Sequence, residues 1–220
     1  MLEQLPQQGE WLALLMLGGP VVLVLLLMSV IALAITLFKL IQFRGVSRRA
    51  LDQLDSAVTL WCEGSDTEAA AAVAGNRSDV SPVIANGMAW LQRASVDRAT
   101  AATELGRMAQ QILTRLSSLL GVLEQVSYLA PLLGLLGTVL GIIDVFHGLA
   151  DQGASSNAGM LAGGIWEALL TTAVGLTVAI PFALVHAGLQ ARVDLVRTRV
   201  ENMLTRLFTA GLYQHPAPAN

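Results

Sequence analysis

Gln125–Ile143 reads QVSYLAPLLGLLGTVLGII, nineteen residues without a charge between Glu124 and Asp144. An α-helix rises 1.5 Å per residue, so about 20 apolar residues cross the hydrocarbon of a bilayer. The stretch is read as a membrane-spanning helix, and the rest of the chain agrees. Of 220 residues, 54% are hydrophobic and only 13% charged, with a mean hydropathy of +0.61, which is not the surface of a water-soluble domain. One cysteine, Cys62, cannot close an intrachain disulfide, which excludes a disulfide scaffold.

Two more spans follow. Trp11–Phe38 carries no charge but is broken at Gly18, Gly19 and Pro20. It divides into a short interfacial helix, with Trp11 at the headgroups, and a span over 21–41 with Lys39 at its inner end. Ala168–Ala191 is free of Asp, Glu, Lys and Arg and stops at Arg192. It predicts a third span that begins near Gly163.

The cations set the orientation. All 13 Lys and Arg lie between Lys39 and Arg115 or between Arg192 and Arg206, and none falls in 1–38 or 124–191. Cations gather beside the cytoplasmic ends of spans. The expected order is therefore a periplasmic segment 1–20, first span 21–41, cytoplasmic helical domain 42–123, second span 124–148, periplasmic loop 149–162, third span 163–191, and a cytoplasmic C-terminal helix and tail 192–220. The first 20 residues carry Glu3 and Glu10 but no cation, unlike a cleavable signal peptide, so the first span is expected to remain as an anchor.

The cytoplasmic segment is expected to be helical, with turn signals at Gly75-Asn76 and Ser81-Pro82. From Val96 the apolar positions Leu105, Met108, Ile112, Leu116, Leu119 and Leu123 recur at three- and four-residue steps, with no proline before Pro131. One unbroken helix is expected to run from there into the second span. The third span should likewise continue past Arg192 through Val193, Val196, Val200, Leu204 and Leu207, leaving a frayed tail from Gln214. No repeat and no sustained strand alternation occurs, so the fold class is an all-α integral membrane protein.

Small residues line one face of each later span. Pro131, Gly134, Thr138 and Gly141 recur in the second; Ala168, Thr172, Gly175, Ala179 and Ala183 recur in the third. Such faces can be plain packing seams. Counting rise from Glu124 and descent from Gly163, however, brings Thr138 and Thr172 to a similar depth, roughly 15–21 Å above the cytoplasmic side. Two hydroxyls would then meet. A hydroxyl orients water or hydrogen-bonds a carboxylate but does not carry a proton by ionising.

Glu167 is the one acid placed inside a span, near its outer end, and reads either as a functional carboxylate or as a cap in the helix's first turn. Asp144 and His147 are expected in a solvated loop, His186 is expected to snorkel or to bond a neighbouring helix, Cys62 to be a small buried hydrophobe, and Pro181 to bend the third span. No HExxH, GxSxG, P-loop or strand-borne GxGxxG occurs, and the three histidines 147, 186 and 215 do not converge. Neither an enzyme nor a metal or cofactor site is expected, and nothing points to nucleic acid.

Ala130–Ile142 (APLLGLLGTVLGI) and Gly164–Pro181 (GIWEALLTTAVGLTVAIP) resemble the ExbB/TolQ/MotA proton-channel family. The resemblance covers both spans, the three-span order and the large cytoplasmic segment. GGPVV at Gly18–Val22 and GIWEAL at Gly164–Leu169 are most like the ExbB branch. The family implies a pentameric ring in the bacterial inner membrane, formed by copies of this chain. The ring would surround the span of an ExbD-like partner and engage a TonB-like protein. It also implies that Thr138, Thr172 and Glu167 line a proton pathway, that Pro131, Gly134, Gly141, Gly175, Ala179 and Pro181 pack the helices around it, and that the partner supplies the midplane carboxylate this chain lacks. A TolQ-type role and a non-conducting membrane scaffold are the alternatives.

Overall fold

A computed structural model describes residues 19–93, 96–152 and 158–213. The interfacial helix expected around Trp11 and the tail from Gln214 lie outside the described residues. Within them the chain is helical: α1 (Gly19–Gln42), a 3₁₀ turn (Phe43–Val46), α2 (Arg48–Cys62), α3 (Asp66–Ala74), α4 (Ser81–Leu91), α5 (Arg98–Ser117), α6 (Leu120–Gln152) and α7 (Ala158–Tyr213). Three helical stretches are long and apolar enough to cross a membrane. The chain divides into two units: one takes in α1 as far as Leu37 with Leu119–Ala187, and the other takes in Phe38–Ser118 with the chain from Gly188 onward.

In the first unit α1, α6 and α7 meet around Leu25, Ala130 and Ala179, with Val21, Leu133, Val174 and Val178 against them. That core is small because the facing side chains are small. The large side chains turn outward: Leu23, Leu135, Trp166 and Leu184 are all more than half exposed. An apolar exterior of this kind needs lipid or other chains around it.

The second unit is built like the interior of a soluble helical domain. Leu51, Leu54 and Val58 of α2, Val83 and Ile84 of α4, Leu105, Leu113 and Leu116 of α5, and Val193, Val200 and Leu207 of α7 are buried. Gly87 on α4 lets that helix approach α5 and α7, since a Cβ there would stand 3.3 Å from both Leu105 and Leu207. The turn signals act as expected: Gly75 closes α3, Ser81-Pro82 opens α4, and Asn76 ties the intervening turn down by donating to the Ala50 carbonyl at 2.8 Å. Asp97 caps α5, accepting from the Thr100 amide at 3.0 Å, and these hydrogen bonds hold its carboxyl below the ordinary carboxylate range. Arg206 binds Asp55 at 2.9 Å and Thr59 at 2.7 Å, and Arg199 pairs with Asp52. Cys62 is only half-buried, its Sγ 3.8 Å from the Arg206 carbonyl.

Two expectations need correction. The helix from Val96 does not run unbroken into the second span. It stops at Ser117, Ser118 is extended at ψ 145°, and Leu119 takes φ +64° before α6 begins. A leucine in that left-handed region carries roughly 1–2 kcal/mol of strain. Across the break the buried positions keep three- and four-residue steps, through Leu113, Leu116, Leu120 and Leu123, and Leu119 is 45% exposed. Lys39, in the last turn of α1, is fully buried. Its three ammonium protons are shared among four acceptors, Gln42 Oε1 at 2.8 Å, the Leu116 carbonyl at 3.0 Å, Ser118 Oγ at 3.3 Å and the Arg115 carbonyl at 3.4 Å. The Arg115 and Leu116 carbonyls in the last turn of α5 lie past the reach of the helix's own ladder, and the ammonium supplies a donor at the negative end of the helix. Finally, Asp144 and His147 stand on α6, which runs on to Gln152, rather than in a loop.

Candidate functional site

The site begins with what α6 lacks. Gly134, Gly137 and Gly141 have no side chain on the face toward α7, so the two backbones come nearly into contact. A Cβ on Gly134 would lie 2.9 Å from the Thr171 carbonyl oxygen, and one on Gly175 would lie 2.6 Å from the Ala130 carbonyl oxygen. Opposite Gly141 stands Ala168, 2.9 Å from where a Cβ would be. The pairs run antiparallel along the seam: Ala130 with Gly175, Gly134 with Thr172, Gly137 with Thr171, Gly141 with Ala168.

Close approach lets hydroxyls of one helix reach carbonyls of the other. Thr172 Oγ1 donates to the Gly134 carbonyl at 3.0 Å, and Thr171 Oγ1 reaches the same oxygen at 3.1 Å while donating to its own helix at Ala168, 2.7 Å away. Thr171 is 4% exposed and Thr172 half-buried. Two adjacent hydroxyls therefore converge on one carbonyl in the apolar middle of two spans. Such an arrangement can hold the seam or, if a hydroxyl turns away, offer an acceptor to water or to a carboxylate.

Thr138 and Thr172 do not hydrogen-bond one another. Thr138 Oγ1 donates to the Leu135 carbonyl within α6 at 2.6 Å, next in sequence to the Gly134 carbonyl that Thr172 uses. The residues the sequence reading passed over are Gly137 and Thr171. Both fit the same three- and four-residue spacing, as Gly134–Gly137–Gly141 and Ala168–Thr171–Gly175, and that spacing was the available signal. Of the other small-face residues, Ala179 is buried with the seam, Pro131 is half-buried beside it, and Pro181 lies exposed on the far face of α7, which continues through it.

Beyond Gly141 the seam opens into a cavity of about 230 Å³ whose walls include Gly141, Asp144, Gly148, Gly164 and Glu167. Glu167 is half-buried and lies well inside α7, not in its first described turn, so it does not cap that helix start. It faces a space that it shares with a second carboxylate, Asp144, from α6. Among the described residues no cluster of three metal-ligating side chains occurs.

Comparison with known proteins bears on these same elements. The MotA/TolQ/ExbB proton channel family matches residues 76–202, from the turn before α4 through both helices of the seam. The biopolymer transport protein exbB1 of Vibrio cholerae is 33% identical over 137 residues, which are 61% of this chain and 60% of that protein. The biopolymer transport protein ExbB of Pseudomonas putida is 39% identical over 98 residues, 41% of this chain and 30% of that protein. The Tol-Pal system protein TolQ of Pseudomonas aeruginosa is 29% identical over 192 residues, 81% and 83% of the two chains. The chain thus spans about three fifths of the first relative and under a third of the second. With more than half of its length matched, including both glycine-lined helices, the chain belongs to the MotA/TolQ/ExbB proton channel family.

Proposed function

We propose that this chain is the ring-forming, proton-conducting subunit of an inner-membrane motor that drives TonB-dependent transport at the outer membrane. The observation that carries the reading is the seam: two hydroxyls on one carbonyl at mid-span, with a carboxylate-bearing cavity at its outer end, within the part of the chain the family covers. In this reading α6 and α7 of about five copies face a central pore occupied by the span of an ExbD-like partner, which brings the ionisable carboxylate. Glu167 and Asp144 form the outer mouth, and Thr172 and Thr138 are the mid-span groups that meet the partner's carboxylate. The N-terminus is periplasmic and the C-terminus cytoplasmic, as the cation blocks indicate. One proton crossing gains about 2.3 kcal/mol per 100 mV, comparable to one or two hydrogen bonds. Such a motor needs nearly equivalent states, which a symmetric ring around an unequal partner supplies.

A TolQ-type role in envelope integrity is the second reading, favoured by the longer overlap with the Pseudomonas aeruginosa protein. Both motor readings share one test. Proton uptake is measured in liposomes holding the ring with its partner, comparing Thr172→Val with Thr172→Ser. Valine keeps the volume and removes the hydroxyl, so uptake should fall at least about tenfold, the scale of a lost buried hydrogen bond, and serine should restore most of it. Uptake by Thr172→Val equal to wild type, with the ring intact, removes Thr172 from the pathway, and no uptake by the wild-type ring leaves the chain a scaffold.

A further inference from the structure

A second cavity, of about 530 Å³, opens where the chain leaves the first span and where the third span ends. On one side are Phe43, Val46, Ser47, Arg48 and Leu51; on the other Gly188, Ala191, Arg192, Leu195 and Val196. Its floor is apolar: Phe43 is 5% exposed, Val46 6%, Leu51 1% and Val196 2%. Its rim carries two guanidinium groups and no acid. We propose that this groove binds the phosphate of an anionic phospholipid of the inner leaflet between Arg48 and Arg192, with the glycerol and the start of an acyl chain lying along Phe43, Val46 and Leu195.

Three observations lead there. Arg48 and Arg192 are the two groove arginines, and neither guanidinium group makes a hydrogen bond or an ion pair with another described residue. The nearest acids in sequence are already engaged, Asp52 by Arg199 and Asp194 by the Gln190 amide. Nothing at the rim therefore competes with an incoming anion. Guanidinium groups match phosphate oxygens with paired donors, and basic pockets on the cytoplasmic side of spanning helices are where anionic headgroups dock.

The second observation separates a lipid from a soluble phosphate. The last turn of α1, directly before the groove, exposes Phe38, Leu40 and Ile41, each 47% or more. An occupant can thus keep its phosphate at the arginines and its tails against a surface that already faces hydrocarbon. A free phosphate or an acidic peptide has no use for that apolar floor. The third is room: a Cβ built on Gly188 meets nothing within 4 Å, so the groove is open where the third span ends. Its volume lies within the range of small-ligand sites.

The test is native mass spectrometry of the full oligomer taken from bilayers with equal phosphatidylglycerol and phosphatidylethanolamine. Wild type should retain phosphatidylglycerol in preference, and Arg48→Gln with Arg192→Gln should reduce that retention roughly tenfold, as expected for two arginines at an anionic surface. Arg44→Gln, an exposed cation outside the groove, should leave it unchanged. Gly188→Leu should evict the lipid without altering charge, and inorganic phosphate should not displace it. Equal retention of both lipids by wild type, or an unchanged preference in the double variant with its oligomer mass intact, overturns the proposal. Dissociation of the oligomer by Gly188→Leu with lipid retention unchanged also overturns it, because the groove is then filled by a second copy.

Discussion

Lys39 shows how far one residue's role can depart from its composition class. By sequence it is a cation at the inner end of a span, and the positive-inside rule accounts for it fully. Yet its ammonium is buried against the open carbonyls of Leu116 and Arg115, 77 and 76 residues away. No local pattern announces such a contact, because the signal lies in the far helix's lack of a cap. Lys39→Met keeps the length of the side chain and deletes the donors, leaving the Leu116 carbonyl without this partner. The expected loss is about 1–3 kcal/mol of local stability, the range for a buried group left unsatisfied. Hydrogen exchange should quicken in Leu113–Ser117 and stay unchanged in α3; unaltered exchange at the end of α5 would show that the ammonium is a bystander there. Thr171 was missed for a different reason: Thr171 and Thr172 are adjacent, and helical spacing alone admits either of them to the seam.

Elements were legible where chemistry repeats and illegible where it happens once. The three apolar runs, the Gly75 and Ser81-Pro82 boundaries and the extension of α7 past Arg192 all follow from periodicity or from residues with strong backbone preferences. The break between α5 and α6 does not, since Leu119 has no intrinsic liking for φ +64° and the position holds no glycine. The α6–α7 seam gives the sharpest element-scale prediction. In Gly175→Ala the new methyl would meet the Ala130 carbonyl at 2.6 Å and the Gly134 Cα at 3.1 Å, both backbone, so only separation of the helices can relieve it. Thermal melting in detergent should show a loss of about 1–3 kcal/mol, as for overpacked cores. Gly106→Ala on the exposed face of α5, where nothing lies within 4 Å, should instead gain about 0.5–1 kcal/mol. Equal effects at the two glycines would mean that the seam is looser than its backbone distances imply.

The first unit buries few large side chains and exposes many, so its stability has to come from what surrounds it. We expect the partner chains of the ring to cover part of α6 and α7 and lipid to cover the remainder. Native mass spectrometry of the chain expressed with its single-span partner should give a mass of about five copies with fewer of the partner. Monomers or dimers without a partner would favour the scaffold and reduce the hydroxyl pair on Gly134 to packing. The sequence is most informative about this scale through a contrast: one unit has its leucines inside and the other has them outside, as the charge distribution foretold.

The Lys39 contact also imposes an order on biogenesis. The ribosome makes the lysine 77 residues before the Leu116 carbonyl that will receive it, which at about 5–20 residues per second is roughly 4–15 s of synthesis. During that interval the ammonium has neither the Leu116 nor the Arg115 carbonyl to reach. Only when α5 has been made can the charge be buried against it, so this joint cannot close until more than half of the chain exists.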